Sequence, residues 1–220
     1  MKLFLFINRG KTMYISEPAE YAILGLLESQ PMHGYEMFQQ FKNGALGQIV
    51  HLEMSQMYAF LKKLERLMYI EAQLETQGLR PPRKIFHLTA QGRHIFFQWL
   101  KEPVERPREI RILFLIKLYF VQQFTPEEIG HLIDQQIIAC RNFLNHLEAR
   151  HSLPLETGDE AFFDHVVLRG RIYQTRSLLD WLQELQHELA SELDDVCGIK
   201  PHAAHFLRVE DGVALPGHSQ

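Results

Sequence analysis

The stretch SQMYAFLKKLERLMYIEAQLETQGLRPPRKIFHLT, residues 55–89, decides the fold of this chain. Its first part places apolar residues at steps of three and four, which predicts an amphipathic helix over residues 53–68 with a basic outer face. Two short runs at 70–75 and 84–88 follow as predicted strands, and the turn that joins them carries RPPRK. A helix that fits a DNA groove, followed by a basic hairpin, is the pattern of a winged helix-turn-helix.

The residues on either side of this stretch complete the predicted domain. Apolar spacing predicts helices over 18–28 and 33–42, with a break at Asn43, Gly44 and Gly47. After the hairpin, the Thr89 hydroxyl is placed to cap a helix that runs to Leu100. The polar residues 103–107 then form a short linker, which we expect to be the domain boundary.

The second half of the chain predicts long amphipathic helices over 109–123, 126–150 and 164–194. Such helices cannot bury their apolar stripes alone, so they pack on each other or on a second copy of the chain. The predicted fold class is mostly α with a small β wing, an N-terminal winged helix-turn-helix followed by an all-helical C-terminal dimerisation domain. The predicted regions are an N-terminal extension at 1–14, the winged helix-turn-helix domain at 15–102, the helical dimerisation and effector domain at 108–196, and a flexible tail at 197–220.

Composition and charge favour a cytoplasmic protein in which only the N-terminal half contacts a polyanion. Residues 1–100 carry 11 Lys and Arg against 8 Asp and Glu, whereas residues 101–220 carry 12 against 19. Two cysteines provide no disulfide framework. The apolar N-terminal run is too short for a signal peptide, and no apolar run reaches the ~20 residues of a membrane span.

Residues on the helix at 53–68 and on the hairpin turn are candidate DNA contacts. Ser55 and Gln56 lie at the start of the helix, where side chains meet base edges, and glutamine can pair bidentately with adenine. A tyrosine hydroxyl suits a phosphate, and cations further along the helix and in the wing meet the DNA backbone. These further candidates are Tyr58, Lys62, Lys63, Arg80, Arg83 and Lys84. Each taken alone is better explained as a solvated or half-buried side chain; their order along the chain favours DNA.

Three segments resemble the PadR family of bacterial transcriptional regulators. They are YAILGLLESQPMHGYEM at 21–37, SQMYAFLKKLERLMYI at 55–70 and RPPRKIFHLTAQGR at 80–93. REIRILFLIKLYF at 108–120 and LRGRIYQTRSLLDWLQELQHEL at 168–189 look like the helical C-terminal domain of its longer subgroup, which includes virulence-gene activators and phenolic-acid-responsive repressors. The resemblance implies a homodimer held by C-terminal helices on an inverted repeat, and it adds Tyr35 to the DNA contacts.

The chain departs from the family pattern at three positions. Met68 and Tyr69 stand where members usually have a glycine that eases a left-handed helix end, so the angle between helix and wing is an open question. Ala59 replaces a frequent proline, and Glu53 stands where a Ser or Thr cap is expected. The matching region also starts late, which suggests Met13 as the native start.

A small aromatic effector is a further expectation from the aromatic residues of the helical half. The candidate effector residues are Arg169, Tyr173, Arg176 and Trp181. One of the arginines would bind a carboxylate of the ligand. The alternative is that the aromatic residues only pack in the core and the dimer interface. We predict no cofactor and no metal site, because the best set, Cys197, His202 and His205, matches no standard finger. His33 and His51 are expected at helix ends or in solvent.

The sequence therefore predicts a transcriptional regulator rather than an enzyme. It contains no glycine-rich phosphate loop and no nucleophile elbow. The expected mechanism is repression by occupying an operator, with release by a ligand. The alternative is a helical protein–protein interaction module whose winged helix does not bind DNA.

Overall fold

The computed structural model describes residues 15–77, 80–152 and 159–198, without the side chains of residues 77, 80–82, 159–160 and 192–198. It is mostly helical with one small sheet, as predicted. In chain order the elements are α1 (Pro18–Ser29), β1 (Met32–His33), α2 (Gly34–Asn43), α3 (Ala45–Ile49), α4 (Met54–Arg66), β2 (Ile70–Gln77), β3 (Arg80–Leu88), α5 (Ala90–Lys101), α6 (Pro107–Phe124), a 3₁₀ turn (Pro126–Glu128), α7 (Ile129–His151) and α8 (Asp159–Gly198). The predicted extension at 1–14 and the tail from 199 onward lie outside the described residues.

The sheet is antiparallel, with strand order β1-β3-β2. In the wing hairpin, Ala72 pairs with Phe86 and Leu74 with Lys84, and the register shifts between Glu75 and Gln77. The strands are longer than predicted, because pairing continues through polar residues that break the apolar alternation. β1 escaped prediction altogether, since two residues are too few to show a period.

The break predicted at residues 43–47 is wrong in part, because α3 occupies most of it. The Asn43-Gly44 step does end α2, and Gly44 is extended at its C-cap with its N–H bonded to the Gln40 oxygen at 3.0 Å. Gly47 lies inside α3, where a Cβ atom would come within 2.6 Å of the Lys42 carbonyl oxygen. Glycine therefore serves close backbone packing at this position instead of ending a helix.

Local hydrogen bonds fix both ends of the wing. Thr89 caps α5 as predicted, because its hydroxyl accepts a bond from the Gly92 N–H at 3.0 Å. At the other end, Met68 takes the left-handed φ of 58°, alone among the described non-glycine residues. The Tyr69 N–H bonds to the Leu64 oxygen at 3.1 Å and the Met68 N–H to the Glu65 oxygen at 3.0 Å. These are the two bonds of a Schellman motif, so α4 keeps the left-handed ending without the glycine.

A continuous core joins the winged helix to the helical half. The rings of Phe96 in α5 and Phe120 in α6 meet edge to face with centroids 5.3 Å apart. A Cβ atom on Gly25 of α1 would overlap the Phe120 ring, so this glycine permits the close approach of α1 and α6. One cluster of buried residues contains members from both sides of residues 103–107. The domain boundary expected there therefore remains a prediction.

Helices α7 and α8 pack side by side and run antiparallel. Arg176 of α8 pairs with Glu148 of α7 at 2.6 Å, and Gln186 bonds to Asp134, so rising numbers on one helix meet falling numbers on the other. α8 begins at residue 159, five residues earlier than predicted. Among the described residues, no helix has the length and apolarity that a membrane crossing requires.

A lysine is buried where α5 meets α6. Lys117 is 2% exposed, and its ammonium donates to the Trp99 carbonyl oxygen and lies 4.0 Å from the Trp99 ring centroid. Burial lowers the pKa of the Lys117 ammonium to about 7 from its usual 10.5, and the charge of Glu102 partly opposes this.

Candidate nucleic-acid interface

An open groove lies between the start of α2, the outer face of α4 and the strand β3. Its volume is about 770 Å³. Five of the predicted DNA contacts line it, namely Tyr35, Tyr58, Lys62, Arg83 and Lys84, together with His33, Gly34, Glu36, Leu61, Glu65 and Phe86. The structure thus brings together candidates that are almost 50 residues apart in the sequence.

Two tyrosines project into this groove. Tyr35 is 60% exposed and Tyr58 is 48% exposed, which is high for large aromatic residues. The Tyr58 ring lies against the start of α2, where a Cβ atom on Gly34 would come within 2.9 Å of Tyr58 Cε1 and 3.1 Å of Leu61 Cδ1. Gly34 therefore lets α2 approach α4 closely enough for the two phenols to share one surface.

The groove is lined by both cations and carboxylates. Lys62, Arg83 and Lys84 are exposed, and Lys84 Nζ lies 3.5 Å from Glu65 Oε1. An exposed pair at this distance contributes at most about 1 kcal/mol, so an approaching phosphate can displace the carboxylate. The groove is basic overall, but its acidic residues will reduce the attraction for DNA of any sequence.

His33 ties the wing to the body of the domain, a role that sequence analysis missed. Its Nδ1 lies 3.0 Å from the Lys84 carbonyl oxygen, and its Nε2 lies 3.3 Å from Glu75 Oε2. The residue stands at the N-cap of α2, as the helix-end prediction had it. His33 reaches the wing because β1 pairs with β3, where His33 lies opposite Ile85. This pairing is non-local, so the sequence pattern does not indicate it.

Ser55 and Gln56 are exposed on the first turn of α4, beside the groove rather than in its lining. The Glu53 N–H donates to Gln56 Oε1 at 3.0 Å, and Glu53 and Gln56 together form a capping box. His51 Nε2 lies 2.9 Å from Glu53 Oε1. The amide of Gln56 is thus held at the tip of the helix.

Lys63 faces the protein interior, unlike its neighbour Lys62. Lys63 Nζ lies 2.6 Å from Oε1 of Glu20, a residue of α1 with no exposed surface, and donates to the Ser16 hydroxyl at 3.0 Å. Glu20 Oε2 also accepts from the Ser16 and Glu17 N–H groups. Because Lys63 neutralises a buried carboxylate, we leave it out of the proposed DNA contacts. The side chain of Arg80 lies outside the described residues.

Of the four candidate effector residues, Arg169, Tyr173 and Arg176 share an exposed face of α8, whereas Trp181 packs on the core. Arg169 Nη2 bonds to the Tyr173 hydroxyl at 3.1 Å on an exposed face of α8, and this bond lowers the pKa of the phenol. Arg176 is paired with Glu148, and the Trp181 ring packs edge to face on Phe114 with centroids 5.8 Å apart. The packing alternative therefore accounts for Trp181.

The candidate metal residues Cys197, His202 and His205 lie outside the described side chains. Among the side chains that are described, no three His, Cys, Asp or Glu residues are placed together to hold a metal ion.

Sequence comparison matches two successive parts of the chain to known families. Residues 23–97 match the transcriptional regulator PadR-like family, and residues 110–190 match the virulence activator alpha C-term family. Residues 23–97 therefore belong to the PadR-like transcriptional regulators. The first match contains β1, the whole of α4 and the wing, and the second contains most of the three long helices.

Two characterised relatives of this PadR-like chain extend over both regions. The negative transcriptional regulator PadR of Bacillus subtilis is 27% identical over 172 residues, covering 76% of this chain and 94% of its own. The probable transcriptional regulator Rv1176c of Mycobacterium tuberculosis is 26% identical over 190 residues, covering 77% and 96%. The predicted family and the prediction of a regulator rather than an enzyme are both confirmed.

Solved structures with detectable similarity include two of Bacillus subtilis PadR. The complex with operator DNA is 25% identical, covers 80% of this chain and 99% of that one, and has a TM-score of 0.40. The complex with p-coumaric acid is 25% identical, covers 79% and 99%, and has a TM-score of 0.35. Scores of this size do not establish a shared overall arrangement.

Proposed function

We propose that this PadR-like regulator is a cytoplasmic, sequence-specific DNA-binding repressor that acts as a homodimer on an inverted repeat. The observation that carries the proposal is the groove in which Tyr35, Tyr58, Lys62, Arg83 and Lys84 share one exposed surface. Phenol and cationic groups along one face match the spaced phosphates of a DNA strand. Repression is supported by the relative in Bacillus subtilis that is a negative transcriptional regulator.

In the proposed complex, the start of α4 enters the major groove. Ser55 and Gln56 are exposed on its first turn and meet base edges there, while Lys62, nearly two turns further on, meets the backbone. Arg83 and Lys84 on β3 contact phosphates on the other side of the groove. For Gln56 to pair with adenine, its side-chain oxygen must leave the Glu53 N–H.

DNA binding is tested by fluorescence anisotropy on an operator selected from random sequences, over a range of salt concentrations. Lys84→Ala is expected to weaken binding to all sequences and to lower the salt slope by about one, because one phosphate contact is lost. Gln56→Ala is expected to relax preference at one base pair per half-site and leave the slope unchanged. Lys101→Ala, an exposed lysine of α5 outside the groove, is the matched control.

Two outcomes would count against this arrangement. If Lys84→Ala and Gln56→Ala both bind like the unmodified protein, α4 and the wing do not lie on DNA as proposed. If the unmodified protein binds no DNA, or binds without salt dependence, the interaction-module hypothesis takes precedence.

The proposed dimer contact lies at the start of α8. Phe162 and Phe163 are 71% and 67% exposed, and Val166 and Val167 follow one turn later. A contiguous exposed apolar patch of this kind is typical of an interface between chains. A fixed dimer would hold two recognition helices ~34 Å apart, the spacing of half-sites one DNA turn apart. We propose that a small ligand releases the operator by changing this separation.

Phe163→Asp is expected to dissociate the dimer, because it places a carboxylate in the apolar contact. Sedimentation equilibrium of the unmodified chain should give about twice the 25.8 kDa chain mass, and the variant should move toward the single-chain mass. Gln183→Asp, which adds the same charge at an exposed position of the same helix, should remain dimeric. A monomeric unmodified protein would contradict the proposed assembly.

A further inference from the structure

A second cavity, of about 410 Å³, lies in the helical half between the start of α6 and the facing surfaces of α7 and α8. It is lined by Arg106 and Arg108 from the start of α6, by Phe143 from α7, and by Arg171, Gln174 and Thr175 from α8. Its volume falls within the range of small-molecule sites. It contains none of the candidate effector residues predicted from the sequence and none of the residues of the candidate DNA interface.

The charge of this cavity is strongly positive. Three arginines line it, and none of the described residues that line it is acidic. Two of these arginines share the carboxylate of Glu109, which lies 3.3 Å from Arg106 Nη1 and 3.8 Å from Arg108 Nε. One carboxylate shared between two arginines leaves about two positive charges for a ligand to neutralise. Arginine is also the side chain best suited to bind carboxylate and phosphate oxygens in pairs.

The backbone adds to this positive field. Arg106 is the N-cap of the 18-residue helix α6 and Pro107 begins its first turn, and no side chain caps that end. The first turn of a helix carries a partial positive charge of roughly one half, which favours an anion beside it. The dipole and the arginines therefore act on the same space.

One wall of the cavity is apolar. Phe143 is half-buried in α7, whereas Gln174 and Arg171 are exposed on α8. Thr175 is buried and its hydroxyl donates to the Arg171 carbonyl oxygen at 2.8 Å, which keeps this turn of α8 regular. The site thus places one half-buried aromatic residue beside three arginines.

We propose that this cavity binds a small organic dianion with a flat apolar part, held by Arg106, Arg108 and Arg171 with its ring against Phe143. The shared chemistry is that of an aryl phosphate or an aromatic dicarboxylate. A monoanion would leave one positive charge uncompensated, and inorganic phosphate would leave the aromatic wall empty. Binding at this site does not depend on the proposed DNA contacts, so either can fail without the other.

The test is isothermal titration calorimetry of the full chain with phenyl phosphate at pH 8, where its second proton is lost. We expect saturable binding with a Kd below about 1 mM. Arg171→Gln should weaken it at least tenfold, because one charge-assisted contact is removed. Arg176→Gln is the matched control, since Arg176 lies on the same helix but is paired with Glu148 outside the cavity.

Ligand selectivity completes the test. Phthalate should bind comparably to phenyl phosphate, whereas p-coumarate, a monoanion, and inorganic phosphate should each bind at least tenfold more weakly. The proposal is overturned if phenyl phosphate gives no saturable heat, if Arg171→Gln binds as well as the unmodified chain, or if p-coumarate binds equally well. Loss of binding in Arg176→Gln alone would place the ligand at another site and would also overturn it.

Discussion

A Lys63→Met variant is expected to lose roughly 3–5 kcal/mol of unfolding free energy, as measured by urea denaturation. The physical reason is the carboxylate of Glu20, which has no exposed surface and lies 2.6 Å from Lys63 Nζ. Methionine fills the space of the lysine stem but leaves this charge without its cation. Two backbone N–H groups still donate to Glu20 Oε2, so the carboxylate stays where it is and the loss is electrostatic.

Two companion variants separate this effect from DNA binding. Lys62→Met changes the neighbouring exposed lysine, so it should leave stability within about 0.5 kcal/mol and weaken DNA binding. Combining Glu20→Gln with Lys63→Met removes both charges and keeps an acceptor for the N–H groups, so it should recover more than half of the loss. If the Lys62→Met and Lys63→Met proteins have the same free energy of unfolding, the ion pair between Lys63 and Glu20 does not stabilise the fold and this prediction is wrong.

The opposite roles of these two lysines show what sequence patterns can and cannot predict. The apolar stripe of α4 could be predicted because Met57, Leu61 and Leu64 recur at helical spacing and are buried. Lys63 lies beside that stripe, where helical periodicity alone allows either solvent or a partner. Its partner Glu20 is 43 residues away, and no local pattern records that contact.

The wing shows the same limit. Its two strands and the Thr89 cap could be predicted, because alternation and capping are local properties. Met68 could not be predicted to take a left-handed φ, since its residue type opposes it. The hydrogen bonds that the Met68 and Tyr69 N–H groups donate outweigh the cost of the left-handed conformation, which is about 1–2 kcal/mol. Likewise, His33 contacts the wing only through pairing between β1 and β3, which is non-local.

The candidate effector residues lie on two faces of α8, because aromatic residues and arginines in a helical domain can face either the core or solvent. Trp181 lies on the stripe that packs on Phe114, whereas Arg169 and Tyr173 lie on the outer face of α8. The three arginines that line one cavity, Arg106, Arg108 and Arg171, come from the start of α6 and from α8, and Arg171 is more than 60 residues from the other two in the sequence. Their convergence depends on how α6 crosses α8, a tertiary property without a sequence period.

The second large effect is expected at Lys117, where replacement by methionine should stabilise the protein at neutral pH. An ammonium with 2% exposure loses most of its hydration, and one carbonyl oxygen and the face of the Trp99 ring replace only part of it. Burial lowers the pKa of this group from 10.5 to about 7. At 1.36 kcal/mol per pKa unit, this corresponds to a penalty on the order of 5 kcal/mol for the charged form.

The sign of the pH dependence follows from the two protonation states. Between pH 7 and 10.5 the unfolded chain carries the Lys117 proton and the folded chain has lost it, so stability rises with pH across this range. Below pH 7 both states are protonated, and the full penalty is present. Lys117→Met carries no proton in either state, so its stability should exceed that of the unmodified chain most at pH 6.

Urea unfolding of both proteins between pH 6 and pH 9.5 tests this expectation. The advantage of Lys117→Met should shrink steadily as pH rises, because only the unmodified chain gains stability through loss of this proton. Stopping at pH 9.5 keeps the measurement below the titration of Tyr21, whose pKa burial raises to about 12. Lys101→Met, an exposed lysine of α5, should show a pH-independent difference. A constant difference for Lys117→Met would mean that the lysine stays charged in the folded protein, with its ammonium reaching water.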